Sequence, residues 1–115
     1  MSAPDKLCVI WSSGDPDVAR SMVFMYTHNS KRLGWWREVK LVVWGASAVL
    51  MLEDESLHQY IEPMKEDGVI LQACRACADM HGVTEKLEAL GIEVIYMGEP
   101  LTEMLKSDEW AVLTF

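Results

Sequence analysis

Two thiols three residues apart, in the run Cys74-Arg75-Ala76-Cys77, are the side chains of this sequence best suited to chemistry. They follow the apolar stretch Val69 to Cys74, so they fall where a strand gives way to a helix. A thiol in that position meets unpaired backbone amides and the positive end of the helix, and both favour the thiolate. Arg75 adds a positive charge beside it. Thiolate is the species that attacks sulfur, so the placement suits a nucleophile or a holder of persulfide. The CxxC spacing also lets the two sulfurs approach within bonding distance.

Two other uses of a CxxC pair fit the surroundings poorly. In thioredoxin-like exchange the pair opens a helix in the first βα unit, whereas here it follows the third strand, no aromatic residue precedes it, and Gly82 interrupts the helix. Structural zinc needs four soft ligands. Only His81, four residues beyond Cys77 on the same helical face, could join Cys74 and Cys77, and a fourth ligand would have to come from a neighbouring subunit. No metal is therefore assigned, and no cofactor is called for. His81 is also the one histidine near the pair, a candidate proton donor or positive neighbour. His28 and His58 fall on helices elsewhere, and Cys8 lies between Leu7 and Val9 in an apolar strand, the position of a core residue. No serine, histidine and aspartate order and no HExxH run offers a hydrolase mechanism.

The elements that must position these thiols are legible from hydrophobic patterning. Five short runs read as strands: Lys6 to Trp11, Val39 to Trp44, Val69 to Cys74, Ile92 to Met97 and Trp110 to Phe115. The first three are almost wholly apolar, which predicts parallel strands covered on both faces. Helical spacing separates them. The first helix is expected to open at Asp15-Pro16, end at Gly34 and bury Val18, Met22, Met25, Tyr26 and Leu33. The second connection should bury Leu57, Tyr60, Ile61 and Met64, with a break at Pro63 and a solvated acidic face of Glu53, Asp54, Glu55, Glu62, Glu66 and Asp67. Thr84 is expected to cap a short helix stopped by Gly91, and the last helix to turn Leu101, Met104 and Leu105 inward. Strand and helix alternate throughout the 115 residues, so the expected fold is one domain, a three-layer α/β/α sandwich on a mostly parallel five-stranded sheet. Strand orders 2-1-3-4-5 and 3-2-1-4-5 both fit.

Ligands of such sheets collect beyond the carboxyl ends of the strands. That rule gathers Trp11, Ser12, Trp44, Gly45, Arg75, His81 and Met97 around the two cysteines as the expected substrate-binding set. Lys and Arg total 10 against 18 Asp and Glu, a net charge of −8, and such a surface repels phosphate backbones and anionic lipid headgroups. Nucleic acid and membranes are thus poor partners. Three cysteines, an odd and low count, with no basic and apolar leader at the start, point to a reducing, cytoplasmic setting. Association is expected as well, because Trp35-Trp36 form an adjacent pair of indoles in a loop and the last strand should be an edge in need of cover.

The segment Val69-Ile70-Leu71-Gln72-Ala73-Cys74-Arg75-Ala76-Cys77-Ala78-Asp79-Met80-His81-Gly82-Val83 resembles the third strand, cysteine and short Gly-Val-terminated helix of the DsrE/DsrF-like family of small sulfur-relay proteins. Trp44-Gly45-Ala46 and the run Tyr96-Met97-Gly98-Glu99-Pro100-Leu101-Thr102-Glu103 support the match, so the resemblance spans nearly the whole chain. It implies a cytoplasmic protein that accepts sulfane sulfur as a persulfide on Cys74 and passes it from a donor protein to an acceptor protein, in trimers or hexamers. Cys77 stands where many members have a small residue. A second thiol there could resolve the persulfide as a disulfide. The competing expectation is a non-catalytic oligomeric binding module whose CxxC is structural or binds a metal.

Overall fold

In β1 (Lys6–Trp11) every residue after Lys6 is buried, as a run without in–out polarity requires of a strand between two helical layers. The computed structural model describes residues 3–115. Four further strands, β2 (Glu38–Val43), β3 (Ile70–Cys74), β4 (Glu93–Ile95) and β5 (Trp110–Thr114), pair with it in a single sheet. All four pairings are parallel. The order is β4-β3-β2-β1-β5, which is neither of the two orders expected. Three successive crossovers step the chain in one direction from β1 to β4, and the last connection returns it to the far side of β1. Hydrophobic patterning sets which segments are strands and carries no record of which neighbour each one chooses.

Alternation along the strands divides the core between the two faces of the sheet. Leu7, Val9 and Trp11 point to the larger cluster, with Val23, Phe24, Met51, Leu57, Met64 and Leu87 packed over them. Cys8 and Ile10 point to the smaller one, with Val42, Cys74, Cys77, Met97 and Met104. Helices cover both faces, giving the three-layer α/β/α sandwich.

The first helical run is continuous over residues 16–32: α1 (Pro16–Val18), a π-helical stretch Ala19–Phe24, and α2 (Met25–Arg32). Asp15 caps it, accepting from the amides of Asp17 and Val18, with Pro16 in the first turn. Its buried face is not the expected one. Ala19, Val23, Phe24, Thr27 and Ser30 face the sheet, while Met22, Met25 and Leu33 are each about half exposed (49%, 58% and 51%). Two causes combine. The π-helical turn shifts the phase of the stripe, and the polar Thr27 and Ser30 hide its continuation from a hydrophobic count.

The second connection breaks at Asp54, between α3 (Ala46–Glu53) and a 3-10 turn Glu55–Tyr60 that runs into α4 (Ile61–Glu66). Pro63 lies in the first turn of α4, where a missing amide is tolerated, and so does not set the break. Leu57, Ile61 and Met64 are buried as expected. The acidic face is not wholly idle: Asp54 receives Arg20 at 3.0 Å and Asp67 meets His28 at 2.5 Å, fastening this connection to the first helix. Beyond β3 come α5 (Arg75–Met80), α6 (Thr84–Ala89) and α7 (Gly98–Lys106). Thr84 is the first residue of α6 rather than its cap, and its hydroxyl donates to Asp79 instead. In α7 Met104 is buried and Leu101 partly so, whereas Leu105 is 64% exposed, against expectation.

Candidate functional site

Register brings three strand ends together. Val43 of β2 lies beside Ala73 of β3, and Cys74 of β3 lies beside Ile95 of β4. Cys74 is at once the last residue of β3 and the N-cap of α5, with extended backbone angles (φ −74°, ψ 118°) that turn the chain from strand to helix. Cys77 then falls in the first turn of α5. Both side chains are buried, 5% and 8% exposed, in the smaller apolar cluster with Met97 and with half-buried Trp44 against them.

The electrostatic partner belongs to Cys77 and not to Cys74. Cys74 makes no side-chain cap hydrogen bond, so the expected contact of its sulfur with the helix amides is absent. Its sulfur is given over to the apolar cluster. The amide of Gly45, at the head of the eight-residue α3, instead donates to Cys77 Sγ at 3.2 Å, and the Cys77 thiol faces the Gly45 carbonyl at 3.7 Å. Gly45 holds a left-handed backbone (φ 73°, ψ −137°) that a side-chain-bearing residue adopts only under strain, and this conformation turns its amide toward α5.

Ser47 fixes that loop. Fully buried, its hydroxyl accepts the Trp44 amide at 3.1 Å and faces the carbonyl oxygens of Trp44 and Trp11. The sequence-based site omitted Ser47. A serine two residues after a strand-end glycine, in the first turn of a helix, was the available signal.

The expected substrate-binding set comes together only in part. Gly45, Trp44 and Met97 surround the cysteines. Trp11 does not: its ring is fully buried in the opposite cluster, edge-on to Phe24 at 5.0 Å, and only its carbonyl faces Ser47. Inward alternation along β1 dictates this, since Trp11 shares the face of Leu7 and Val9. Ser12 is exposed and its hydroxyl is engaged by the Phe115 carbonyl at 2.9 Å. Arg75 sends its guanidinium to the Val94 carbonyl of β4 at 2.9 Å, tying the α5 head to the sheet instead of attending the thiols. His81 is exposed where α5 ends, and what bonds Cys77 is its backbone amide, to the carbonyl, at 3.1 Å. The helix ends at His81, and the chain turns away at Gly82 (φ 68°). Among the described residues no three His, Cys, Asp or Glu side chains converge on a point fit for a metal ion.

Cys8 shares the cluster but not the circumstances. It is fully buried in mid-strand, and burial pushes its thiol up to about 11, with Lys40 opposing only weakly.

The strand order reverses between β1 and β5, and the rule for open parallel sheets would place a ligand crevice there. Several of its donors are already used. The amides of Ser12 and Ser13 and the Ser12 hydroxyl all bond the Phe115 carbonyl, and the Phe115 amide bonds Ile10. The strand ends that bring thiols and a backbone amide together are those of β2 and β3.

Compared with known proteins, the chain matches a solved structure from Bacteroides thetaiotaomicron described as the conserved protein of unknown function BT1422. Identity is 39%, the TM-score 0.90, and the match covers 96% of this chain and 95% of that one. The chain belongs to that protein's family. The likeness carries the fold and no activity. No family model matches the chain. No curated protein matches it either.

Proposed function

We propose that this protein is a sulfur-relay protein of the DsrE/DsrF-like type, which accepts sulfane sulfur as a persulfide on the Cys74–Cys77 pair and hands it to a partner. The observation that carries the reading is the pair itself: two thiols at the end of β3 and the head of α5, one of them holding a backbone amide at 3.2 Å. An N–H aimed at sulfur is the contact that a thiolate or a persulfide anion accepts, and thiolate is the species that attacks a persulfide or polysulfide. The apolar wall of Val42, Met97 and Met104 slows hydrolytic and oxidative loss of a bound sulfane sulfur. Donor and acceptor are thiol proteins of the cytoplasm. No helix among the described residues is long and apolar enough to cross a membrane.

Assembly into a homo-oligomer, a trimer or hexamer by the resemblance, belongs to the same reading. Its support has moved from where the sequence placed it. Trp36 is half-buried and donates to the Tyr26 hydroxyl at 3.3 Å, so the exposed pair of indoles is in fact Trp35 alone, 56% exposed. Trp35 joins Met22, Met25, Tyr26, Leu113 and Phe115 around an open hollow of about 390 Å³ between the first helix and the edge strand β5. Apolar surface beside an unpaired strand edge favours association.

Burial of both sulfurs favours a second reading, a binding module in which the CxxC packs the core or holds a metal with a neighbour's ligands. One experiment separates the two. Intact mass after incubation with a sulfane-sulfur donor gains one sulfur in a relay protein and nothing in a packing pair, and metal content of chelator-free protein reads out the metal variant.

A further inference from the structure

We propose that Cys77, and not Cys74, is the thiol that first takes the sulfur, and that Cys74 is the resolving thiol; the assignment rests on the sulfur-relay reading. Three observations order the pair. Cys77 Sγ receives the Gly45 amide at the head of α3, and Cys74 Sγ has no cap hydrogen bond at all. Of the two contacts Cys77 Sγ makes with Gly45, the one accepted from the amide, at 3.2 Å, is the closer, and the one to the carbonyl spans 3.7 Å. Cys77 also faces the head of the eight-residue α3, whereas Cys74 still belongs to the sheet, paired with Ile95.

The chemistry that follows is balanced without an outside oxidant. Cys77 thiolate attacks the terminal sulfur of a thiol persulfide, R–S–S–H. The Cys77 Sγ–S bond forms, the donor's S–S bond breaks, and RS⁻ leaves. The product is Cys77–S–S–H. A partner's thiolate can take that terminal sulfur and return Cys77 as thiolate. In the absence of a partner Cys74, having given its proton to a solvent base, attacks Cys77 Sγ. A Cys74–Cys77 disulfide forms and HS⁻ leaves, the sulfane sulfur being reduced as the two thiols are oxidised. Cys74 lies without an amide in the apolar cluster, so this second attack is the slower one, and delivery to a partner precedes it.

Glutathione persulfide is the probe, and intact mass followed by peptide mapping is the readout, on the unaltered chain and on Cys74→Ser, Cys77→Ser and Cys77→Ala. Circular dichroism verifies each fold. Cys74→Ser is expected to gain one sulfur and keep it several-fold longer than the unaltered chain, while both Cys77 variants gain less than a tenth as much. Substitution-free support comes from alkylation: limiting iodoacetamide on the native chain should label Cys77 before Cys74. Loading of Cys77→Ser with loss of loading in Cys74→Ser overturns the order and leaves the relay standing. Equal loading of the two, equal failure of the two, or first labelling at Cys74 likewise overturns the order. If the unaltered chain takes no sulfur, the relay reading falls and the order with it.

Discussion

Cys8 and Cys77 lie in one apolar cluster on one face of one sheet, yet their surroundings differ in the feature that governs thiol chemistry. Cys8 sits in mid-strand, where backbone amides are spent on ladder pairing, and burial outweighs the opposing charge of Lys40, raising its thiol to about 11. Cys77 sits past the strand end, where the Gly45 amide has no ladder partner and turns to the sulfur instead. Burial is common to both. What separates the two positions in this fold is the supply of unpaired amides, and the end of a parallel sheet is where that supply lies.

The largest expected effect that sharpens this contrast is on sulfur loading. Cys8→Ser should leave it within about twofold of the unaltered chain, while removal of the Cys77 thiol costs tenfold or more, about 1.4 kcal/mol for each tenfold. Next comes alkaline stability. The Cys8 thiol of the unfolded chain ionises near 9 and that of the folded chain only near 11, so between those values the unfolded state releases its proton first and stability falls as pH rises. The loss amounts to roughly 3 kcal/mol over that window. Urea midpoints at pH 8 and pH 11 should therefore diverge more in the unaltered chain than in Cys8→Ala, and equal divergence would contradict the burial argument.

Gly45→Ala should have a smaller effect. There is room for the methyl group, whose nearest neighbours would be Ser12 atoms at 3.9 Å, but φ of +73° strains any other residue, at about 1–3 kcal/mol. Thermal denaturation gives that loss directly. Slower labelling of Cys77 in the same variant would show that the amide matters to the sulfur, and unchanged labelling would erase the contrast with Cys8. The smallest effect expected is that of His81→Ala, within about 0.5 kcal/mol in stability and none in sulfur loading, because the imidazole lies exposed beyond the end of α5. A marked loss of loading would restore His81 to the site.

The strands were legible because a doubly covered parallel sheet needs unbroken apolar runs, and β1 and β5 begin where such runs begin. The bounds of β2, β3 and β4 differ by one or two residues: β2 is shifted back by one, β3 starts one later, and β4 is shorter at both ends. Pairing with a neighbour and not apolarity sets where a strand begins and stops. Met22, Met25 and Leu33 lie outside the buried stripe that helical spacing predicts because a π-helical turn leaves no mark in composition. At the site, Cys74 and Cys77 could be found by type and spacing. Which of them meets an amide could not, because that amide comes from Gly45, 32 residues away, and depends on the order in which strands pair. Arg75 shows the same limit: charge is visible in sequence, while its direction, toward the Val94 carbonyl, is a property of the folded sheet edge.

The central claim is that strand-end amides make the Cys74–Cys77 pair, and not Cys8, the place where sulfane sulfur is held. The measurement that tests it most directly is peptide mapping of the native chain after loading with glutathione persulfide and capture of persulfides by alkylation. The account predicts one added sulfur, found on the peptide that contains Cys74 and Cys77 and absent from the peptide that contains Cys8. Sulfur distributed equally over both peptides, or none on either, would contradict it.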